Sequence, residues 1–199
     1  FADKFMIELS MAIAKITNLN IKLRSFEYLL YKFVGWYEAE KGISDPSHAQ
    51  FLTEFTRLKV LKLLFLVSAV NEGHDLLCIF NKFYAMRHGP VEGEIYDAMV
   101  NEKFSFIQFK DRTTSFIKPF ELWNFDDLAE DKKSLLDSSI ASLFNKNSSI
   151  ILYPAKMLVD ITHKWISWQS AYMMAQMLNK GSQLMDVSLI REDTKYYTK

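Results

Sequence analysis

A glycine followed by a proline near the middle of the chain places the tightest constraint on the fold. Gly89 and Pro90 join an apolar run over residues 76–80 to a segment with helical spacing over residues 92–100. Glycine adopts a positive φ at little cost, and proline holds φ at about −65°, which suits the first turn of a helix. The pair therefore predicts a sharp turn, with Pro90 in the first turn of a short amphipathic helix.

Several other segments carry apolar residues at intervals of three and four, the spacing of one helix face. This spacing predicts helices over residues 1–16, 23–40, 53–69, 124–144, 155–178 with a break near Lys164, and 187–197. The most apolar of them, residues 53–69, is expected at the centre of a bundle, with Arg57, Lys59 and Lys62 at the edges of its buried face.

Two regions alternate apolar and polar residues, as strands do. Residues 104–109 and 115–119 flank a polar turn and predict an antiparallel hairpin. The apolar run over 76–80 contains few helix formers, so it predicts a further strand. The expected fold is mainly α, of the α+β class: a compact multi-helix domain with a small antiparallel β-hairpin or short sheet.

The 199 residues suffice for one domain with a large core. Because the chain begins with Phe1 rather than Met, we expect residues 1–20 to be an N-terminal extension, either helical or foreign to the natural protein. A single domain is then expected over residues 21–199.

The charge balance and the number of cysteines limit the classes of function that this chain can have. The chain has 24 basic residues (Lys and Arg) and 24 acidic residues (Asp and Glu). It therefore has no net positive charge that would favour binding to nucleic acid. Cys78 is the single cysteine, which excludes an internal disulfide and predicts a cytoplasmic protein. Its apolar neighbours predict a buried, unreactive thiol. The apolar runs are too short to span a bilayer, which requires about 20 residues.

No pattern of residues predicts catalysis or a bound cofactor. The four histidines are scattered, and neither metal-ligand spacing nor a phosphate-binding or nucleophile motif occurs. One alternative remains open, a metal-dependent hydrolase that uses His88, His163 and Asp160. Another is a phage-related DNA-binding regulator, for which the best basic residues are Lys22, Arg24, Lys32, Arg57, Lys59 and Lys62.

Aromatic residues exceed what one buried stripe needs on the helix over 23–40. Tyr31, Trp36 and Tyr37 are therefore candidate partner-binding residues, and the alternative is a core helix in an aromatic-rich protein. His163 is open to two interpretations as well. It either lies in the core or caps a helix, or it makes a polar contact with the Gly89-Pro90 turn.

Three segments, in this order along the chain, resemble the motifs of the Panacea (SocA-like) domain family of bacterial and phage-associated antitoxins. The clearest is Ala-Met-Arg-His-Gly-Pro-Val over residues 85–91, followed by Glu-Ile-Tyr over 94–96, although Met86 replaces the usual aromatic. Residues 57–65 and 158–168 are similar to two further motifs of the family. The family-motif residues matched in this chain include Gly89, Pro90, Val91, Tyr96, His163 and Trp168.

The resemblance implies a single Panacea domain over residues 21–199 and a type II antitoxin function without enzymatic activity. Such a protein neutralises a cognate protein toxin by direct complex formation. The resemblance also permits an adaptor that delivers the toxin to a cytosolic protease. Toxin specificity is expected in the N-terminal helices, and the oligomeric state stays open.

Overall fold

The structure, a computed structural model, describes residues 2–110 and 113–199, and for residues 2–5 it describes the backbone alone. The α-helices of the described residues are α1 Ala2–Lys41, α2 Ala49–Glu54, α3 Arg57–Ser68, α4 Gly93–Val100, α5 Glu130–Lys146, α6 Ala155–Thr162, α7 Ile166–Met177 and α8 Val187–Glu192. The strands are β1 Phe83–Met86, β2 Gly89–Glu92, β3 Ile107–Lys110, β4 Thr113–Phe116 and β5 Gln183–Leu184. Short 3-10 helices cover Leu76–Cys78, Phe120–Leu122 and Ser148–Leu152.

Helix α3 is the centre of the core, as its apolar sequence predicts. Every residue from Lys59 to Ser68 is buried, and the helix packs against α5, α6 and β2. Its first turn is capped by Thr56, whose hydroxyl accepts a hydrogen bond from the backbone N–H of Lys59. The mainly helical α+β class with small antiparallel sheets is confirmed. Lys59 and Lys62 lie inside the core, so the prediction that they mark the edges of the buried face was wrong.

Two small antiparallel sheets accompany the helices. In the first, β1 lies between β2 and β5, and Phe83 is opposite Glu92 while Met86 is opposite Gly89. In the second, β3 and β4 form the predicted hairpin, with Ile107 opposite Phe116. The first sheet sits beside α3 and α7, so the Gly89-Pro90 pair is held against the core.

The Gly89-Pro90 pair begins a strand, so the prediction that Pro90 lies in the first turn of a helix was wrong. Gly89 has a φ of 94° and follows a tight turn after β1. Proline is tolerated in β2 because this strand is at the edge of its sheet, where a missing N–H is not needed. The helix starts three residues later at Gly93, where the carboxylate of Glu92 accepts from the N–H of Ile95 at 2.8 Å.

The run over residues 76–80 is not a strand, which corrects the second β prediction. Leu76–Cys78 form a 3-10 helix whose first residue follows Asp75, and the Asp75 carboxylate accepts from the N–H of Leu77 at 3.1 Å. This local hydrogen bond competes with extended structure, as Asp side chains commonly do. Cys78 is exposed rather than buried, because the turn directs it away from Leu76 and Leu77, which are buried.

Helix α1 joins two segments that were predicted as separate helices, since it runs unbroken for 40 residues. Most residues from Lys22 to Tyr37 are buried, whereas residues 6–18 are exposed throughout. The C-terminal region follows the prediction more closely. Pro154 precedes α6. The helical conformation is interrupted between Thr162 and Ile166, where α7 begins. The last helix, α8, ends at Glu192, short of the predicted residue 197.

Candidate functional site

The segments that carry the predicted motifs meet at the turn between β1 and β2. Trp168 of α7 donates from its indole Nε1 to the backbone oxygen of Met86 at 3.1 Å. Gly89 lies so close to α3 and α6 that a Cβ on it would be 2.7 Å from Oγ1 of Thr162 and 3.2 Å from Nζ of Lys62. The turn is therefore clamped between three helices and fits only glycine at this position.

Lys62 supplies the deepest contact to this turn. Its side chain is fully buried on α3, and its ammonium group donates a hydrogen bond to the backbone oxygen of Pro90. Burial lowers the pKa of Lys62 to about 7, because a charged amine is poorly solvated in the core. In the sequence, Lys62 stands out as a lysine within an otherwise apolar stretch of helix. Sequence analysis placed it at the edge of the buried face, whereas it lies inside the core.

His163 and two neighbouring rings form a stack at the surface end of the clamp. The imidazole of His163 stacks on Trp168 at 3.8 Å between centroids, and Trp168 in turn stacks on Tyr172 at 5.0 Å. Burial lowers the pKa of His163, and the nearby charge of Lys62 lowers it further. The Nε2 atom of His163 is buried and has no hydrogen-bond partner in the described part of the chain. The histidine thus contributes a neutral, stacked ring beside the turn.

The other motif residues of the clamp are structural in position. Pro90 and Val91 are buried in β2, and Tyr96 is half-buried on α4. The guanidinium group of Arg57 lies 5.9 Å from the centre of the Tyr96 ring, within the range of a weak cation–π contact. Pro90 and Val91 thus belong to the strand that packs on α3, and Tyr96 lies on the helix that follows it.

The alternative metal site does not form. Among residues 2–110 and 113–199, no group of three or more His, Cys, Asp or Glu side chains is placed to hold a metal ion. His88 is exposed, whereas Asp160 and His163 are half-buried on and just after α6. Asp160 opposes the lowering of the His163 pKa and His88 adds to it, but the three side chains do not form a set of metal ligands among the described residues.

The basic residues considered for DNA binding do not present one basic face. Lys59 and Lys62 are buried in α3. Lys22 is also buried, and its ammonium pairs with Glu92 at 2.7 Å and with Glu94. Arg24 pairs with Glu27 and Asp127. Lys32 pairs with Asp137 at 3.0 Å, and Arg57 donates to the backbone oxygen of Phe109 at 3.1 Å. All six residues are therefore either buried or paired within the protein.

The three candidate partner-binding aromatics are divided by their burial. Tyr37 is 1% exposed and packs edge-on against Phe55, while Trp36 is 7% exposed and donates from Nε1 to the backbone oxygen of Ser148 at 3.0 Å. Tyr31 is 36% exposed and stacks on Phe120 at 4.9 Å. Of the three, Tyr31 alone offers substantial side-chain area to solvent, and a role for this region in partner binding stays a prediction.

The largest exposed apolar area on α1 lies in its first half. Met6, Leu9, Ile13 and Ile16 are 61%, 43%, 56% and 60% exposed. Their spacing of three, four and three residues places them along one face of the helix. We call this row the α1 stripe. The sequence predicted a helix over residues 1–16 and placed it in an N-terminal extension, without indicating that one face would stay exposed.

Comparison with known proteins yields no relative for this chain. No protein-family model matches it, and no curated protein or solved structure is significantly similar to it. Within the described residues, no helix combines the length and the apolar character needed to cross a bilayer.

Proposed function

We propose that this chain is an antitoxin-like protein-binding domain of the Panacea (SocA-like) type that neutralises a cognate protein toxin by direct complex formation. The observation that carries the proposal is the α1 stripe, a row of four large apolar side chains exposed on the projecting half of a helix. Burying such a side chain contributes about 1.5–3 kcal/mol. A partner that covers the stripe therefore gains much of the free energy that a stable complex requires.

The shape of the molecule supports the same function. The first half of α1 has few neighbours, and isolated helical segments of about 15 residues are only marginally stable in water. Its second half is anchored in the core through Leu23, Phe26 and Leu30. Because α1 is anchored at one end, a partner that covers the first half only has to stabilise the continuation of an existing helix, not to nucleate a new one.

The site chemistry is compatible with a protein that acts by occlusion. Lys62 and His163, the groups with perturbed pKa values near the clamp, contact the protein's own backbone and rings rather than an open pocket. Within this proposal the toxin complex forms in the cytoplasm, and delivery of the bound toxin to a cytosolic protease is a second use of the same complex.

The proposal is tested in a bacterium that expresses the neighbouring reading frame of the source genome. We expect the neighbour alone to stop growth, and co-expression of this chain to restore colony counts and to yield a complex on purification. Leu9→Asp combined with Ile13→Asp is expected to abolish the rescue. Met173→Asp combined with Met177→Asp, at exposed apolar positions on α7 (61% and 78% exposed), is the matched control and is expected to rescue fully.

A neighbour that is harmless, or whose toxicity the wild-type chain leaves unchanged, contradicts the antitoxin function. Equal rescue by the α1 double variant and the control, with both proteins folded by circular dichroism, contradicts the assignment of the interface to the α1 stripe.

A further inference from the structure

A cleft lies beside α1, on a different face from the α1 stripe. It has a volume of about 570 Å³ and separates the first half of α1 from the chain segment over residues 78–82. Met11, Lys15, Asn18 and Lys22 line its α1 side. Their spacing of four, three and four residues is that of a straight row on one helix face, about 16 Å long at 1.5 Å per residue. The cleft is thus elongated along the helix.

The charge of the cleft differs from the neutral balance of the whole chain. Its lining contains four lysines, Lys15, Lys22, Lys82 and Lys132, and a single carboxylate, Glu94. Glu94 accepts hydrogen bonds from both Lys22 and Lys82, and Glu92 pairs with Lys22 from behind. With Glu92 and Asp131 counted as partners of Lys22 and Lys132, the lysines still outnumber the carboxylates by one.

Two of these lysines are free to meet an incoming charge. Lys15 is exposed and makes no ion pair with the described residues. Lys132 has only a loose contact to its exposed neighbour Asp131, at 3.6 Å between Nζ and Oδ2. The two ammonium groups come from different helices, α1 and α5, so a ligand that pairs with both must lie across the cleft.

We propose that this cleft binds an acidic segment of the partner protein. The inference rests on the proposed function and names the chemistry of the toxin surface that meets this chain. Positive charge in the lining is complementary to Asp and Glu side chains, which speeds association and selects the partner. The apolar side chains of Met11, Leu19 and Ile79 between the lysines accept the apolar residues of such a segment.

The elongated shape favours a polypeptide over a compact anion. A row about 16 Å long matches about five extended residues at 3.3 Å each. The partner would then contact the first half of α1 on two faces, with an acidic segment in the cleft and an apolar surface on the α1 stripe. Both contacts would then depend on the same half of α1.

Cys78 gives the test a local reporter, because it is the single cysteine, lines the cleft and is exposed. The probe is a fluorescein-labelled 12-residue peptide of repeating Glu-Glu-Leu, with the Lys-Lys-Leu peptide as its charge-reversed counterpart. Binding to the full chain is followed by fluorescence anisotropy. The rate at which Cys78 reacts with a thiol-specific disulfide reagent is measured with and without saturating peptide.

We expect the acidic peptide to bind saturably, to slow the reaction of Cys78, and to bind about tenfold more weakly to Lys15→Glu combined with Lys132→Glu. Lys156→Glu combined with Lys180→Glu makes the same change in net charge at two exposed positions outside the cleft lining. This control is expected to change the affinity less than about twofold. The basic peptide is expected not to bind.

Equal weakening by both double variants, or an unchanged reaction rate of Cys78, overturns the inference. Tighter binding of a 12-nucleotide single-stranded DNA with protection of Cys78 also overturns it, because the lysines would then serve phosphates. The two hypotheses can fail independently. Growth rescue without peptide binding contradicts only the proposed binding site in the cleft, and peptide binding without growth rescue contradicts only the antitoxin function.

Discussion

The indole nitrogen of Trp168 donates a hydrogen bond to the backbone oxygen of Met86, 3.1 Å away and 82 positions earlier in the chain. This bond joins α7 to the end of β1, immediately before the turn that leads into Gly89. The ring that makes the bond is also held between His163 and Tyr172. One side chain therefore positions the turn, the helix and the aromatic stack together.

Trp168→Phe is expected to lower the free energy of unfolding by about 1–2 kcal/mol, because the backbone oxygen of Met86 loses its partner while an aromatic ring is retained. Trp168→Ala is expected to cost about 3–5 kcal/mol, since the stacked ring is lost as well. Urea denaturation measures both values. Equal stability of Trp168→Phe and the wild type would show that the hydrogen bond contributes nothing.

Two glycine substitutions are expected to have opposite signs. Gly89→Ala should destabilise the protein by about 2–4 kcal/mol, because φ is 94° and the new Cβ would lie 2.7 Å from Thr162 Oγ1. Gly35→Ala should stabilise it by about 0.5–1 kcal/mol, because Gly35 lies within α1 and a Cβ there meets nothing within 4 Å. Thermal unfolding followed by circular dichroism compares the two; a stable Gly89→Ala protein would contradict the tight clamp.

Lys59→Met is expected to stabilise the protein at pH 7 by about 1–3 kcal/mol. The amine of Lys59 is buried, has no hydrogen-bond partner among the described residues, and lies 4.3 Å from the centre of the Phe55 ring. Burial lowers its pKa to about 8, while Glu54 opposes this shift and Lys41 adds to it. Methionine has a similar length and needs no solvation.

The sign of the pH dependence follows from that lowered pKa. Below about pH 8 the amine is charged in both states and its burial penalty is fully present, and the penalty fades as pH rises towards the unfolded value of about 10.4. The stability difference between Lys59→Met and the wild type should therefore shrink from pH 7 to pH 10. Urea titrations at the two pH values measure it, and a constant difference would contradict the buried amine. Lys62→Met, which also loses the hydrogen bond to Pro90, should not stabilise the protein to the same extent.

Two lysines that pair with neighbouring glutamates make a matched comparison. Lys22→Met should cost about 3–5 kcal/mol, because it leaves the buried carboxylate of Glu92 without its cation. Lys82→Met removes a partner of Glu94 at the surface, where the lysine side chain is 47% exposed, and should cost less than about 1 kcal/mol. Chemical denaturation at pH 7 decides the order, and equal costs would contradict a buried Lys22–Glu92 pair.

The elements that sequence predicted well are those set by local patterns. The continuous apolar stretch of α3, the alternation of β3 and the proline before α6 each specify their structure within about ten residues. The run over 76–80 misled because four apolar residues suit a strand or a buried turn equally, and the capping potential of Asp75 was overlooked. The prediction that Pro90 starts a helix was wrong because its strand forms by pairing with Ala85 on the neighbouring strand. The sequence around Pro90 does not reveal this pairing.

The candidate site was predicted only in part, for a similar reason. Gly89, His163 and Trp168 were singled out by their motifs, yet their contact depends on how α3, α6 and α7 pack. Trp36 and Tyr37 were candidates for partner binding, with a core position as the alternative, and they are buried; composition alone does not say which aromatic side chain faces inward. The α1 stripe was visible as helical spacing, but its exposure follows from the rest of the chain leaving it uncovered.

We propose that a toxin covers the first half of α1 when it binds this chain. Hydrogen–deuterium exchange of residues 6–18, measured on the free protein and on its complex with the proposed toxin, reports this coverage without any substitution. We expect rapid exchange in the free protein, as for a helix end with few tertiary contacts, and exchange slowed by at least about tenfold in the complex. Unchanged exchange in this segment, with protection elsewhere, would contradict the claim.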